Sequence, residues 1–295
     1  MKTRRNIPGS HTLYKSVFLY AWLIITVLVT LVPFTWMIWA SFSKGSLLQG
    51  VSLYPNMKNF SLEHYQYLFT YSSTQKEGAT PDFVAAFLRT LTVAFLNVGL
   101  VVSVSTMFGY AVSRFRFKGK KFIMYAMLVL QLFPAFMGMV AIMVLFRDFG
   151  WLKNPNYFVF LYAAGSIPLN VFMIRGFMSS VPMSLDEAAM IDGASRSKTF
   201  ILILLPMILP MIGFIAVNAF MAPWMDFILP SVLLDKKSET LAVLLYRWTD
   251  RLVTLTYNPL NFFAGGIIVG IPIMIAQIFM QRFVVHGATE GADKG

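Results

Sequence analysis

Long runs without a charged residue constrain this chain more than any other feature. The first run, residues 17–40, has 24 residues with no Asp, Glu, Lys or Arg, and a helix of about 20 residues crosses the hydrocarbon core of a bilayer. A signal peptide has an apolar core of only about 7–15 residues, so this run is predicted to be an uncleaved spanning helix. Trp36 and Trp39 are expected to anchor its end at the membrane interface.

Five further apolar runs follow, at 90–112, 122–146, 157–174, 201–229 and 262–281. Only 13% of the residues are charged, against about 25% in ordinary soluble domains, so most of the protein surface must face lipid. The fold class predicted from these runs is an all-α polytopic membrane protein with six transmembrane helices.

The distribution of lysine and arginine predicts the orientation. Residues 114–121 hold five cations in eight positions, and residues 1–16 add four more. Basic residues in short loops mark the cytoplasmic side, so both termini are predicted to be cytoplasmic, as an even number of spans requires. Because the cations flank apolar runs, we assign the net charge of +11 to topology and anionic membrane lipids rather than to nucleic acid.

These predictions divide the chain into segments. They are a cytoplasmic N-terminal tail at 1–16, a first transmembrane helix at 17–40, an extracytoplasmic loop at 41–82, a five-helix core at 83–282 and a cytoplasmic C-terminal tail at 283–295. The core contains a polar cytoplasmic loop at 182–200. The protein is therefore expected to be a multi-pass membrane protein.

The loop at 182–200 contains the stretch Glu187-Ala188-Ala189-Met-Ile-Asp192-Gly193-Ala194. Ser184 and Glu187 have the spacing of a capping box, Gly193 is suited to end the helix in a left-handed conformation, and Ser195 is placed to cap a second helix. The result would be a helix–glycine–helix corner with alanines on its surface, a shape that another protein can grip. The alternative is that Glu187 only caps its own helix.

The sequence holds no constellation of residues for chemistry of its own. It has no phosphate-binding Gly-rich loop, no cysteine, and three histidines that all lie outside the apolar runs, so neither a catalytic nor a metal site is predicted. Asp226 is the one acidic candidate within the runs. Ion-driven carriers commonly bury ionisable residues in their spans, so their scarcity argues against a secondary transporter, and a membrane enzyme or sensor would need a catalytic constellation or a soluble domain.

With Glu187-Ala-Ala-x3-Gly193-x9-Ile203-x-Leu205-Pro206, the chain resembles the permease subunits of ABC importers, whose signature loop it matches at every position. Ser113-Arg-Phe-Arg-Phe-Lys-Gly-Lys120 and the tail from Phe283 are similar to the maltose/maltodextrin branch, and in particular to the second permease of its pair. The tail departs from the usual ending at His286, Ala288, Glu290 and Asp293.

The resemblance implies the type I permease architecture of ABC importers and a set of partners. These are a second permease subunit, two cytoplasmic ATPase subunits, and an extracytoplasmic binding protein that delivers an oligosaccharide such as a maltodextrin. It implies that ATP and Mg²⁺ are bound by the ATPases and that this chain binds no cofactor. Residues 182–200, called the coupling loop below, would dock on an ATPase through Glu187, Ala188, Ala189, Asp192, Gly193 and Ala194.

Polar residues within the runs are candidates for contact with a sugar in the substrate path, namely Gln131, Asn170, Asn218, Trp224 and Asp226. The alternative reading is that they cap helices or form hydrogen bonds between them. The main rival to an importer subunit is an ion-coupled secondary transporter of a small solute.

Overall fold

The architecture was analysed in a computed structural model that describes residues 10–45, 57–73, 81–133, 135–249 and 258–292, with the backbone only at 10–14, 57, 135–136 and 282–292. The described residues are helical apart from turns, short connections and one isolated β-bridge between Ser43 and Phe60. Parts of both predicted tails, residues 1–9 and 293–295, lie outside the described residues.

The helices are numbered in chain order. They are α1 Ser10–Ser41, α2 Glu63–Thr70, α3 Asp82–Arg114, α4 Lys120–Leu130, α5 Met139–Asp148, α6 Phe158–Ser179, α7 Met183–Ile191, α8 Arg196–Thr199, α9 Leu205–Met207, α10 Leu209–Met225, α11 Ile228–Leu233, α12 Leu241–Arg247 and α13 Pro259–Ala292. Single 3₁₀ turns cover Met57–Asn59, Ala135–Gly138 and Pro155–Tyr157, and a π-helical segment, Phe200–Leu204, joins α8 to α9.

Four of the six predicted spans are continuous helices. The structure has long apolar helices at Lys15–Ser41, Asp82–Arg114, Pro155–Ser179 and Pro259–Gln281, and each includes the predicted run or most of it. The helices extend beyond the runs because helical hydrogen bonding continues into the polar flanks, where propensity rather than hydropathy sets the end. The last helix continues to Ala292, through most of the predicted C-terminal tail.

The other two runs are not continuous helices. The run at 122–146 is divided between α4 and α5, of 11 and 10 residues, and Pro134 stands between them in the sequence. The run at 201–229 includes a bend of 76° between Arg196–Met207 and Leu209–Met225, with Pro206 and Pro210 on either side. Proline removes a helical hydrogen bond and clashes with the preceding turn. The hydropathy of a run does not reveal such a break in the helix.

The long helix α3 forms the centre of the bundle. It packs along both α6 and α10, and α10 in turn packs against α13. The buried side chains that join α3, α6 and α10 include Val101, Ile174 and Ile215, each with no exposed surface. Within the same interface the Asn97 side-chain amide donates a hydrogen bond to the Ala219 carbonyl at 2.7 Å. A displacement of α3 must therefore move its neighbours, because packed interiors leave little free volume.

Close approach of α3 and α6 depends on Gly109. A Cβ atom built there would lie 2.5 Å from Cγ2 and 2.8 Å from Cβ of Ile174, whereas one built at Gly99 on the same helix meets nothing within 4 Å. Because α3 packs along α6 at this point, added volume must separate the two helices.

Gly109→Ala is expected to destabilise the protein by about 1–3 kcal/mol, the usual cost of overpacking a core. Gly99→Ala is the matched control, since it adds the same methyl group to an open helix position and gains helix propensity. Thermal unfolding in detergent measures both, and equal melting temperatures for the two variants would contradict the close packing of α3 on α6.

At the end of the bundle where α3 begins, called the α2 end, polar residues connect several elements. His64 of α2 is 2% exposed, and its ring nitrogens lie 2.8 Å from the Asn261 side-chain oxygen and 2.8 Å from the Ser43 carbonyl. Just before α2, the Ser61 hydroxyl accepts a hydrogen bond from the Glu63 amide at 3.1 Å. The connection after α1 is thereby attached to the start of α13.

The α2 end also contains a buried ion pair. Glu239, 4% exposed, lies 2.7 Å from the Arg247 guanidinium, and the Arg89 side chain donates to the Glu239 carbonyl at 3.0 Å. Burial raises the pKa of the Glu239 carboxyl to about 7, although Arg247 and Arg89 oppose the increase. A carboxyl whose pKa is higher in the folded state destabilises the fold as it ionises.

The stability of the α2 end is therefore expected to fall as the pH rises. The protonated Glu239 carboxyl makes its full contribution to stability below its ordinary pKa of about 4.5, and this contribution is lost as the pH rises through about 7. Glu239→Gln should flatten the fall in melting temperature between roughly pH 5 and pH 8. Asp148→Asn, at an exposed ion pair with Arg147, is the control and should leave the slope unchanged; an unchanged slope in Glu239→Gln would contradict the assignment.

Candidate functional site

The coupling loop folds as the predicted corner, but its first helix begins in a different way. The helix α7 starts at Met183, immediately after Pro182, and no side chain caps it. Ser184 is the second residue of the helix, so the predicted capping box between Ser184 and Glu187 is wrong. Pro182 explains the difference, because proline fixes its own φ and disfavours a helical conformation in the residue before it.

The end of α7 agrees with the prediction. Gly193 has φ +83°, the Ala194 amide donates to the Ala189 carbonyl at 2.9 Å, and the Gly193 amide donates to the Met190 carbonyl at 3.1 Å. These two hydrogen bonds form a Schellman motif. The second helix is also capped as predicted, since the Ser195 hydroxyl accepts from the Lys198 amide at 3.3 Å.

One alanine of α7 is buried where the prediction placed it on the surface. Ala189 is 6% exposed and Asp186 is 8% exposed, so the prediction that both alanines lie on the surface is wrong for Ala189. Residues three apart share a helix face, and Ala189 follows Asp186 to the inside. Glu187, Ala188 and Asp192 are exposed.

The outer face of α7 is unexpectedly apolar. Ile191 is 85% exposed, more than any other large apolar side chain in the described part of the chain, and Met183 and Met190 are also exposed. These residues lie outside the apolar runs, so lipid does not account for their exposure. Exposed apolar side chains on a polar loop are typical of a contact surface.

The inner face of α7 is anchored to the end of α3. The Arg114 guanidinium lies 3.1 Å from the Asp186 carboxylate and donates a hydrogen bond to the Val181 carbonyl at 3.1 Å. The two side chains of the ion pair are 6% and 11% exposed. The basic residues at 114–121 and the coupling loop therefore lie at the same end of the bundle, called the α7 end, as the predicted topology requires.

Aromatic contacts attach the second half of the corner to the same helix. The Arg196 guanidinium lies 5.1 Å from the centre of the Phe115 ring, within the range of a cation–π contact. The Tyr110 ring lies 4.5 Å from Phe200 and 5.5 Å from Phe115. Phe200 begins the π-helical segment, so α3 holds the corner on both sides of Gly193.

A groove of about 490 Å³ opens between α6 and the end of α10. The Tyr162 hydroxyl donates a hydrogen bond to the Asp226 carboxylate at 3.0 Å across it, and the Ser166 hydroxyl on its wall is buried without a hydrogen-bond partner. The rest of its lining is mainly apolar: Leu161, Gly165, Ala222, Met225, Ile228 and Leu229. The groove can therefore offer a few directed polar groups to a solute.

The structure places only some of the predicted path residues together. Asp226 lines the groove, and the Gln131 side chain donates to the carbonyl of Gly165 on its wall at 2.7 Å. Asn170 is buried at 7% exposure, Trp224 packs against Phe87 and Phe220, and the exposed Asn218 bonds to the Phe214 carbonyl of its own helix. Among the described residues, no group of three or more His, Cys, Asp and Glu could hold a metal ion.

Several residues of these sites were missed from the sequence. They are Arg114, Asp186 and Ile191 in the coupling loop and its anchor, and Tyr162 and Ser166 in the groove. Helical spacing from Asp186 to Ala189 could have identified the inner face of α7. Arg114 and Asp186 are 72 residues apart in the chain (186 − 114), and no sequence pattern pairs them.

Several long apolar helices around a central helix, with a helix–glycine–helix corner held at one end, define a polytopic helical membrane protein. The chain belongs to the family of binding-protein-dependent transport system inner membrane components, which its residues 102–287 match. Members of this family are transport permeases, not enzymes. The resemblance drawn from the coupling loop is thus confirmed at the level of the family.

Two relatives support this family membership, and one solved structure shares the fold. It is 33% identical over 296 residues to the galactooligosaccharides transport system permease protein GanQ of Bacillus subtilis (strain 168), covering 100% of this chain and 99% of the relative. It is 36% identical over 210 residues to the maltodextrin transport system permease protein MalD of Streptococcus pneumoniae (strain ATCC BAA-255 / R6), covering 71% and 74%. The crystal structure of a bacterial ABC transporter involved in the import of the acidic polysaccharide alginate matches the fold with a TM-score of 0.75 at 20% identity, covering 94% of this chain and 98% of that one.

Proposed function

We propose that this protein is a transmembrane subunit of an ATP-driven importer of oligosaccharides related to maltodextrins. The observation that carries the proposal is the anchored helix α7, which presents Ile191 at 85% exposure outside the apolar runs. The names of the relatives support the substrate class, because they are permeases for galactooligosaccharides and maltodextrin. A sugar delivered by an extracytoplasmic binding protein fits the description of the family.

In this proposal the protein has six spans with both termini in the cytoplasm. The four continuous helices give four spans, the bent pair α8–α9 and α10 gives a fifth, and α4 with α5 forms a broken sixth. The α7 end, which carries the five cations of 114–121, is the cytoplasmic end by the positive-inside rule. The α2 end then lies on the outer side of the bacterial cytoplasmic membrane, where it faces the extracytoplasmic binding protein.

The proposed mechanism is alternating access driven by partner subunits. Two ATPases bind ATP and Mg²⁺, and this chain binds neither. One ATPase grips the outer face of α7, at Glu187, Ala188, Ile191, Asp192 and Gly193, while Ala189 and Ala194 contribute to the support of this face. When the ATPases close, the corner transfers the motion through Arg114 and Phe115 to α3, and a second permease subunit completes the pore.

The groove between α6 and α10 is the proposed wall of the sugar path. A sugar hydroxyl can hydrogen-bond to the Asp226 carboxylate and to the free Ser166 hydroxyl, and Gln131 positions the wall through the Gly165 carbonyl. We assign Asn170, Asn218 and Trp224 to helix packing and to hydrogen bonds within helices. An ionisable residue within a spanning run is expected to be functional, which favours Asp226 over the other four candidates.

Changing Ile191 tests the docking of the ATPase. Ile191→Glu puts a charge into an apolar contact and is expected to prevent copurification of the ATPase subunits and to abolish sugar uptake, since an unpaired buried charge costs several kcal/mol. Ile191→Leu, which keeps the apolar volume, is the control and should retain both. Copurification of ATPases with Ile191→Glu at the wild-type level would contradict the docking face, and uptake driven by an ion gradient without ATPases would favour a secondary transporter.

A further inference from the structure

Four cations at the α7 end have no carboxylate partner in the part of the chain that the structure describes. Arg116, Lys118, Lys120 and Lys121 follow α3, and none of them has a carboxylate within 4.0 Å among the described residues. The Lys120 ammonium donates to the Phe115 carbonyl at 3.3 Å, and the first turn of α4 contains no acidic residue. Their fifth neighbour, Arg114, is already paired with Asp186 and faces inward.

Three of these cations, Arg116, Lys120 and Lys121, line a groove of about 380 Å³ together with aromatic rings. Its walls are formed by Arg116, Phe117, Gly119, Lys120, Lys121 and Phe122. Phe117 is 39% exposed and Phe122 is 77% exposed. Gly119, with φ +88°, turns the chain so that cations on both sides of the turn line the same groove. A side chain other than glycine would be strained in that conformation.

The groove lies where a membrane surface is expected. From Phe122 onward α4 exposes apolar side chains, including Tyr125 at 65% and Val129 at 52%. The cations therefore lie at the boundary between a polar connection and a face that contacts hydrocarbon. Aromatic residues are enriched at this depth of a bilayer, and basic residues there attract anionic lipids.

We propose that this groove binds the phosphate head group of an anionic phospholipid of the cytoplasmic leaflet. Arg116, Lys120 and Lys121 contact the phosphate oxygens, and Phe122 and Tyr125 pack against the start of the acyl chains. The inference rests on the orientation given under the proposed function, because it places the α7 end in the cytoplasm. The lipid is favoured over a protein partner because the groove, along which three cations and two aromatic rings lie, continues through Phe122 into the exposed apolar face of α4.

The test measures which lipid remains bound to the purified transporter. The wild-type assembly is equilibrated in micelles that contain equal parts of phosphatidylglycerol and phosphatidylcholine, and the retained lipids are counted by native mass spectrometry. Arg116→Gln/Lys121→Gln is compared with Lys236→Gln/Lys237→Gln, which removes two exposed lysines near the α2 end. The preference for phosphatidylglycerol is expected to fall roughly fivefold for each cation removed from the groove and to be unchanged in the control.

Three outcomes overturn the proposal. The first is equal lipid preference in the wild type and the groove variant. The second is displacement of the lipid by inorganic phosphate at matched concentration, which would identify a free-anion site. The third is a groove variant that loses the ATPases but keeps the preference for phosphatidylglycerol, which would make the groove part of the ATPase contact. Failure of the proposed function is separable, because Ile191→Glu should lose the ATPases and keep the lipid preference.

Discussion

Arg114→Met is expected to abolish ATP-driven uptake while the protein remains in the membrane. The change leaves the Asp186 carboxylate without its partner at a site where both side chains are nearly buried, and breaking such a pair costs about 3–5 kcal/mol. The cost falls on the attachment of α7 to α3, not on the packing of α3 against α6 and α10. We therefore expect the coupling loop to detach locally while the bundle stays folded.

A double-mutant cycle separates this attachment from a general loss of stability. Asp186→Leu should be as harmful as Arg114→Met, and the two changes together should be less harmful than their sum, because no buried charge remains unpaired. Uptake into vesicles, ATPase copurification and membrane insertion are measured for each variant. Lys118→Met, at an exposed cation of the same connection that does not line the lipid groove, is the control. Additive losses in the cycle would contradict a direct coupling between Arg114 and Asp186.

Hydropathy and local spacing predict a large part of this fold. Uninterrupted apolar runs identified four helices because a bilayer leaves a chain few other ways to satisfy its backbone hydrogen bonds. The ends of the coupling-loop helices at Gly193 and Ser195 were predictable because capping depends on residues that are close in sequence. The start of α7 was not predictable, since the effect of Pro182 outweighs that of Ser184.

Sites formed across the chain were less predictable. Asp226 was found because a carboxylate in an apolar run is unusual, but its hydrogen-bond partner Tyr162 resembles any other aromatic residue of a spanning helix. Helical spacing puts Ala189 on the same face as Asp186, but which face of α7 is buried depends on the position of α3, where Arg114 pairs with Asp186. Pairings between distant segments are set by helix packing, and a single sequence contains no direct record of it.

Gly193→Val is expected to reduce uptake strongly by distorting the corner itself. A valine at φ +83° takes up a left-handed conformation that costs about 1–2 kcal/mol for an ordinary residue and more for a β-branched one. The strain is conformational and not steric, because a Cβ atom at this position meets nothing within 4 Å. Relief requires the Schellman hydrogen bonds to Ala189 and Met190 to break, which unwinds the last turn of α7 and moves Ile191.

Gly193→Asn is the matched variant, since asparagine tolerates the left-handed conformation better than other residues with a side chain. It adds a polar group to the same open position and should keep most of the uptake. Gly193→Val should lose about five- to thirtyfold, the factor that corresponds to 1–2 kcal/mol, with membrane insertion and the melting temperature of the bundle unchanged. If both variants transported equally well, the left-handed turn at Gly193 would not be required to hold the docking face of α7 in place.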